Sequence, residues 1–512
     1  MKYAQKFCGR VSACTLLSVF LGMLCFANSG SVFGQTPLSP ANPSLPADAS
    51  AAQPSAMPAV QAPVVQPPVV ARAPEQPLAA DDVSWLFPAP TKESDLANLI
   101  AMSDLTVPNP QDLTKRDRVW SDATFQQFIT IAGSAAGAVT DSDKIGLPDA
   151  AKKIDAWHIA GVRFDAGAPG LSDAIIEEYG QSPQIRLIVQ PVTREADGTV
   201  TAVDTTAHLI FSFAKQELLP PSKPGCFPRP VPDLVAFKQI VAEVAALRSK
   251  LRDGELGGNK IVTAGKALGI HPGLVDQTTA SNVRAEMKAI LERHLSPERL
   301  GQMAIMALPA NDAPEPWIFL AMQFLPPQFL PPPVAAQMPK GGFVPVPNPT
   351  LDGKQFAQLL RPEGANPRVV PEPRTNNLAS ITCINAAVPA NGPPIPERKG
   401  VATADLPTGI QKTAAGKAKV LSELNTIADP NMSHFFNTDC VSCHTETRRA
   451  LELLLPGDIP KIAAAPLPNG PWNVRNFGWS PLSEGDVGGT VSRRTAAETK
   501  AVMDFINAKL LN

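Results

Sequence analysis

The chain has 512 residues, among them 55 prolines, seven cysteines and six histidines, and its 45 Lys and Arg against 47 Asp and Glu give a formal charge of −2. This balance argues against a nucleic-acid-binding protein, which needs a concentrated basic surface. A hydrophobic fraction of 44% fits a globular protein and excludes disorder of the whole chain, so the excess of proline, about twice its ordinary usage, must be local.

Residues 1–34 have the parts of a secretory signal peptide. A basic start without acidic residues is followed by an uncharged apolar run at 11–27 and then by small and polar residues. The apolar run is at the lower limit for spanning a bilayer, so an uncleaved membrane anchor is the alternative. The sequence therefore predicts an exported protein, in the periplasm or on the extracellular side of the cell envelope, held to a membrane at most through this segment.

Composition divides the rest of the chain into four parts. Residues 35–84 are rich in proline and alanine and poor in charge, which predicts a disordered linker. Residues 85–345 contain apolar-periodic segments separated by turns, which predicts a folded body with a candidate division into two subdomains near 216–231. Residues 346–400 form an irregular proline-rich connector, and residues 401–512 are expected to form a further domain.

Hydrophobic periodicity predicts three strands, then two helices, then two strands in the body. These are the strands Trp157–Asp165, Ile185–Thr193 and Val200–Phe213, the helices Pro232–Leu251 and Asn282–His294, and the strands Gln302–Leu308 and Trp317–Phe324. In the third strand, alternation places Leu209 and Phe211 on one face and His208 and Ile210 on the other. The order of the elements predicts an α+β body with a mostly antiparallel sheet.

The C-terminal part contains one motif with a specific chemistry, Cys440-Val441-Ser442-Cys443-His444. The spacing C-x-x-C-H is the attachment signature of c-type haem. On a helix, positions i, i+3 and i+4 share a face, so Cys440, Cys443 and His444 can address one flat ligand. These side chains can supply two thioethers to the haem vinyl groups and an imidazole to the iron.

Other interpretations of this motif account for fewer of its residues. A zinc site needs four ligands of suitable spacing, whereas only His434 and His444 accompany the two cysteines. A thioredoxin-like dithiol would lie near a βαβ pattern, which this region lacks. A local disulfide loop leaves His444 without a role. The sequence therefore predicts one covalent haem c per chain.

The other cysteines fall into two groups. Cleavage of the signal would remove Cys8, Cys14 and Cys25, which leaves Cys226 and Cys383 as the thiols outside the motif. In an oxidising compartment, a disulfide between Cys226 and Cys383 is the simplest expectation. Such a bridge would fasten the connector to the body.

Residues 400–512 resemble the c-type cytochrome family through the pentad Cys440–His444. The resemblance implies a small all-α domain in which Cys440 and Cys443 attach the haem and His444 is the proximal iron ligand. It also implies a final helix that packs against the motif helix, and Thr495–Leu511 matches it, with a buried stripe of Ala501, Val502, Phe505 and Ile506. The expected fold is therefore multi-domain, an α+β body followed by a small all-α cytochrome c-like domain.

The candidates for the second axial ligand of the iron lie at positions that differ from the family pattern. Members commonly use a methionine in a loop before the last helix, whereas the only methionine after the motif here is Met503, inside that helix. His434, six residues before Cys440, is the other candidate. An open or weakly ligated iron is the third alternative, and it would favour a sensor or a catalyst over a carrier.

The resemblance implies that the protein exchanges electrons with a redox partner protein. Residues before 400 resemble no family with a known activity, and they contain neither a nucleophile elbow nor an H-E-x-x-H motif, so no catalytic residue is predicted. The expected function is electron transfer by an exported c-type cytochrome whose α+β body has an unassigned role. The alternatives are an enzyme whose α+β body is served by the cytochrome domain, and a haem-based binding or sensor protein.

Overall fold

A computed structural model describes most of residues 77–346 and the C-terminal helix. The described residues are 77–109, 111–133, 145–168, 170–171, 176, 180–220, 229–307, 318–325, 327, 335–336, 338–339, 341–346, 369–370, 401–402, 413–415, 418, 421, 424–425, 428–430, 447, 472 and 491–511.

Within these residues the chain forms strands and helices in mixed order. The strands are β1 Ser84–Leu86, β2 Thr106–Asn109, β3 Asp112–Arg118, β4 Trp157–Ala168, β5 Ser182–Arg194, β6 Val200–Ala202, β7 Thr205–Ser212, β8 Ala214–Leu219, β9 Arg229–Pro232, β10 Leu300–Ala307, β11 Ile318–Leu325, β12 Gly342–Val346, β13 Val369–Val370 and β14 Val401–Ala402. The helices are α1 Ala80–Val83, α2 Asp122–Gly133, α3 Leu234–Asp253, α4 Pro272–Val275, α5 Ala280–His294 and α6 Arg493–Lys509, with short 3-10 turns at Glu93–Asn98, Asp149–Lys152, Ile154–Ala156 and Pro297–Arg299.

One large sheet organises the body. Its strands follow the order β1-β4-β5-β7-β10-β11-β12, every neighbouring pair is antiparallel, and β6 pairs with the end of β5. The separate strand pairs β2-β3, β8-β9 and β13-β14 are also antiparallel. The predicted α+β body with a mostly antiparallel sheet is therefore confirmed for the described residues. The all-α C-terminal domain stays a prediction.

The two faces of this sheet differ in polarity near its centre. A row of paired residues on one face is apolar and buried: Trp85, Val162, Leu187, Leu209, Met303 and Met322. The adjacent row, on the other face, is polar at most positions: Ser84, Arg163, Arg186, Ile210, Gln302 and Gln323. Successive side chains along a strand point to opposite faces of the sheet. Each of these strands therefore contributes one residue to the apolar row and one to the polar row.

Helix α3 covers the apolar face. It contacts β4 and β5, and the rings of Phe213 and Phe237 meet edge to face with centroids 6.0 Å apart. The helix begins after Asp233, whose carboxylate accepts a hydrogen bond from the Ala236 N–H at 3.0 Å. It ends at Gly254, where φ of +79° gives the left-handed backbone that favours glycine. These two caps place α3 two residues later than the predicted Pro232–Leu251.

Helix α6 is attached to the opposite, polar face at the β1–β4 edge. It contacts α1 and β4, the Ser84 and Thr499 hydroxyls lie 2.8 Å apart, and the Asn507 amide makes two hydrogen bonds to the Leu78 backbone. Its buried apolar residues belong to the same hydrophobic core as the sheet. Val502 and Ile506 of the predicted stripe are buried, while Ala501 and Phe505 are half-buried.

The body starts earlier than composition indicated. Residues 77–84 lie within the predicted linker, yet they include all of α1 and the first residue of β1, and Val83 is fully buried. In the described part of the chain, no helix has the length and apolar character needed to cross a membrane.

Candidate functional site

The predicted haem-attachment residues Cys440, Cys443 and His444 lie outside the described residues, as does His434. Cys226 and Cys383 also lie outside them, so their pairing stays a prediction. A few residues close to the motif in the sequence are described, and three of them, Asn425, Asp429 and Thr447, contact the start of α6.

Thr447 connects the motif segment to α6. This helical residue follows His444 by three positions, is 3% exposed, and accepts a hydrogen bond from the Arg493 N–H at 2.8 Å through its hydroxyl. The first N–H groups of a helix have no partner within the helix, so a threonine hydroxyl here satisfies a group that burial would otherwise penalise. The segment that follows the C-x-x-C-H motif is thus attached to the beginning of α6.

Three further contacts involve the C-terminal region. The Arg493 guanidinium contacts the side-chain oxygen of Asn425, and Arg494 donates to the backbone oxygen of Asp429 at 3.0 Å. The Trp472 indole donates to the Phe87 backbone oxygen at 3.0 Å, just after β1 ends. The Trp472 contact therefore reaches the body, while the other two join α6 to Asn425 and Asp429.

Met503 lies on α6 and is half-buried, in contact with the hydrophobic core. The neighbouring side chains Thr499, Val502 and Ile506 are buried on the same helix. This packing gives Met503 a structural role, and its candidacy as the second iron ligand stays a prediction.

A cluster of charged side chains lies between α6 and the polar face of the sheet. Glu498 accepts from Arg163 at 2.6 Å through Oε2 and from Arg494 at 2.7 Å through Oε1. Asp165 lies 3.9 Å from the Arg163 Nε and accepts from the Gln184 amide at 3.4 Å and the Gly167 N–H at 3.1 Å. Both carboxylates are thus engaged by neighbouring donors.

Arg186 is the cation of this cluster that these carboxylates do not bind directly. It pairs in register with Arg163 on the adjacent strand, and its shielded Nε has no hydrogen-bond partner among the described residues. Burial lowers the pKa of the Arg186 guanidinium, and Arg163 lowers it further, while Glu498 and Asp165 oppose the change. Like charges directly opposite on neighbouring strands repel each other. The cluster therefore holds more positive than negative charge among the described side chains.

A second polar cluster lies where α1 meets the loop before α4. Asp82 is fully buried, and its carboxylate accepts from the Ala79 N–H at 2.7 Å, from Thr263 at 3.3 Å, and pairs with the Arg248 Nε at 3.1 Å. The neighbouring Asp81 is 2% exposed and accepts from the Gly269 N–H at 3.4 Å. These contacts fix the loop 263–271 against α1.

The two carboxyls of this cluster differ in their environment. Burial raises the pKa of Asp81 to about 7, opposed by the Gly269 N–H and raised further by Asp82. Burial also raises the pKa of Asp82, against the Ala79 N–H, Arg248 and Thr263. When only one of the two carboxyls is ionised, the negative charge is on Asp82, because Asp82 directly contacts the Arg248 guanidinium.

Three of the described histidines have structural contacts. His271 stacks on Trp85 with ring centroids 3.6 Å apart, accepts from the Gly273 N–H, and has a pKa lowered to about 3 by burial. The His158 ring lies 2.9 Å from the Ala156 backbone oxygen, and His294 lies 3.1 Å from Glu243. Among the residues that the structure describes, no three His, Cys, Asp or Glu side chains are arranged to hold a metal ion.

Sequence reasoning missed the arginine cluster. A single arginine inside each of two apolar strands, GVRF and IRLI, was the available signal, since a charge at such a position must find a buried partner. No protein-family model, curated protein or solved structure matches the chain.

Proposed function

We propose that this protein is an exported c-type cytochrome that binds one haem covalently and transfers electrons to or from a redox partner. The observation that carries the proposal is the pentad Cys440-Val441-Ser442-Cys443-His444 behind an export signal. Haem would supply one-electron chemistry at its iron. In this proposal Cys440 and Cys443 hold the group and His444 is its proximal ligand.

Some residues close to the motif in the sequence are buried, as the neighbours of an apolar porphyrin would be. Leu424, Ala428 and Thr447 are buried, and Asn425 and Asp429, the neighbours of the first two, contact the first residues of α6. The first turn of α6 carries the guanidinium groups of Arg493 and Arg494, and such groups bind carboxylates. In this proposal the α+β body holds the C-terminal region in place through Trp472, and Thr447 attaches the segment after the motif to α6.

The test is haem attachment in protein made with the haem-maturation factors of an oxidising compartment. We expect haem staining to survive denaturing electrophoresis, and a sharp α-band in the reduced spectrum. The double variant Cys440→Ala, Cys443→Ala should lose both signals, whereas the matched Cys226→Ala, Cys383→Ala variant should keep them. Wild-type protein without covalent haem would contradict the proposal.

A haem-based sensor is the second candidate, favoured by the packing of Met503 against the hydrophobic core. If Met503 serves packing alone, the iron has His434 or a labile site opposite His444. Rapid binding of carbon monoxide to the ferrous protein without denaturant would favour the sensor, because it requires a vacant or weakly held sixth position. Failure of the ferrous protein to bind carbon monoxide would favour the electron carrier.

A further inference from the structure

We propose that Gln127 of α2 closes the outer edge of the large sheet at β12, and so prevents that edge from pairing with the same edge of a second copy of this chain. Among the described residues, β12 is the last strand of the sheet, and α2 packs against it. An edge strand presents backbone N–H and C=O groups to which another extended chain can add. The contact lies within the α+β body and is independent of the proposed haem.

Gln127 binds β12 as a residue of a neighbouring strand would. Its side-chain nitrogen donates to the Phe343 backbone oxygen at 3.0 Å, and its side-chain oxygen accepts from the Phe343 N–H at 3.2 Å. In an antiparallel sheet, two residues directly opposite each other exchange the same pair of bonds. The carboxamide of Gln127 therefore occupies the place that a residue of an added strand would take.

The other outward positions of this edge have no N–H group available. Backbone groups along a strand point alternately to one side and to the other, and those of Phe343 point away from β11 because Gln127 binds them. Pro345 also points outward by this alternation, and proline has no N–H. The N–H of Gly341, just before the strand, donates to the Met338 backbone oxygen at 2.9 Å. Within residues 341–346, every outward N–H is therefore either bound or absent.

Gly342 lets the Gln127 side chain approach the strand closely. A Cβ atom at this position would lie 3.0 Å from the Gln127 side-chain nitrogen and would collide with the Met338 sulfur. The same sulfur lies 3.5 Å from that nitrogen, so Met338 packs against the carboxamide from the turn before β12. Gly342 and Met338 thus hold the Gln127 side chain against the backbone of β12.

Helix α2 is held in this position by residues other than Gln127. Phe125 and Phe128 are buried, and their rings meet Trp120 edge to face with centroids 4.9 and 5.1 Å apart. The Phe128 ring also meets Trp157 of β4 edge to face, with centroids 5.9 Å apart. Loss of the Gln127 carboxamide should therefore open the edge without displacing the helix.

A second copy of the chain is the partner that this edge fits. Two identical edge strands can pair antiparallel about a twofold axis, each contributing the same residues. Charged side chains on an edge strand usually prevent such pairing, but the segment 341–346, GGFVPV, contains none. Protection of this edge therefore depends on Gln127 and Pro345.

Hydrogen exchange measures whether Gln127 holds the edge. In dilute protein, the Phe343 N–H should exchange at least about tenfold faster in Gln127→Ala than in the wild type, because its acceptor is removed. Gln126→Ala is the matched control, since Gln126 is the exposed neighbour on the same helix, and it should leave this exchange unchanged. Equal exchange in Gln127→Ala and in the wild type would overturn the proposal.

Self-association measures what the closed edge prevents. The double variant Gln127→Ala, Pro345→Val frees the Phe343 N–H and adds an N–H at position 345. In sedimentation analysis it should form a species with double the wild-type mass as its concentration rises. The Phe343 N–H should regain protection over the same concentration range, which would locate the new contact at β12. The control Gln126→Ala, Pro345→Val retains Gln127 and should keep the wild-type mass.

Two outcomes of the sedimentation experiment would contradict the proposal. A double variant that keeps the wild-type mass at every concentration would show that the opened edge does not pair with a second copy. A doubled mass without renewed protection of the Phe343 N–H would place the new contact elsewhere. If Gln127→Ala does not fold, Gln127→Ser replaces it in both measurements, because the serine hydroxyl is too short to reach the Phe343 backbone.

Discussion

The carboxylate of Glu498 lies 2.6 Å from the guanidinium of Arg163, a residue 335 positions earlier in the sequence. This ion pair joins α6 to β4, next to the edge strand β1 of the large sheet, and the Glu498 side chain is 27% exposed. Burial alone would raise the pKa of Glu498, yet Arg494, Arg163 and Arg186 together hold it well below its usual value. Glu498 is therefore ionised in the folded protein at every pH near neutrality.

The first prediction follows from this pair. Glu498→Gln should lower the free energy of unfolding by about 3 kcal/mol, because it leaves Arg163 and Arg494 without their shared carboxylate. Urea unfolding at pH 7 measures the effect. The control is Asp504→Asn on the same helix, whose partner Lys500 is exposed, and it should cost less than about 1 kcal/mol. Equal effects of the two variants would contradict a special role for Glu498.

The same group predicts a loss of stability in acid. Its folded-state pKa lies below the value of an unfolded glutamate, so its contribution is present above about pH 4.5 and is lost as the pH falls through the folded-state pKa. Wild-type protein should therefore lose more stability between pH 5 and pH 3 than Glu498→Gln does. Parallel stability curves for the two proteins over this range would contradict the assignment.

The raised pKa of Asp81 predicts that the protein loses stability as the pH rises, opposite to the effect of Glu498. Burial raises its folded-state pKa to about 7, above its unfolded value, so its contribution is complete below about pH 4 and is lost as the pH rises to 7. Asp81→Asn should match the wild type near pH 4 and exceed it by about 2–4 kcal/mol at pH 8, since the amide carries no charge to bury. Chemical unfolding at both pH values measures the difference, and an Asp95→Asn control at an exposed turn should show no such gain.

The elements that sequence predicted are those with long periodic patterns. β4, β5, β7, β10 and β11 contain enough alternating or continuous apolar residues to be recognised, and α3 also has strong caps at Asp233 and Gly254. β1 has three residues and β12 contains Pro345, so neither carries a recognisable period. Short edge strands of this kind are determined by pairing with a neighbour rather than by their own sequence.

The charged clusters could not be predicted from the sequence, and the reason differs from that for the short edge strands. Arg163 and Glu498 are far apart along the chain, and their proximity depends on where α6 packs. The predicted terminal helix was real, but its partner surface was expected in the motif helix alone. The described contacts of α6 include the body, because Thr499 and Asn507 hydrogen-bond to Ser84 and Leu78, while packing against the motif helix stays a prediction. The surface against which α6 packs depends on the tertiary structure, and hydrophobic periodicity along the sequence does not predict it.

The next prediction concerns the hydroxyl of Thr447. Thr447→Val keeps the shape of the side chain but removes the acceptor for the Arg493 N–H, and it should lower the free energy of unfolding by about 1–2 kcal/mol. Hydrogen exchange should show faster exchange in the first turn of α6, and Thr447→Ser should restore most of the protection. Unchanged exchange in Thr447→Val would show that the segment after the motif is not attached to α6 through this bond.

Trp472 provides the last prediction, because its indole connects the C-terminal region to the end of β1. Trp472→Phe retains an aromatic ring but leaves the Phe87 backbone oxygen without its 3.0 Å donor, so we expect a loss of about 1 kcal/mol in the free energy of unfolding. Trp472→Ala also removes the buried ring, which is 3% exposed, and should cost about 3–5 kcal/mol. Urea unfolding of both variants measures the two contributions separately. If Trp472→Ala unfolds at the same urea concentration as the wild type, this contact does not hold the C-terminal region to the sheet.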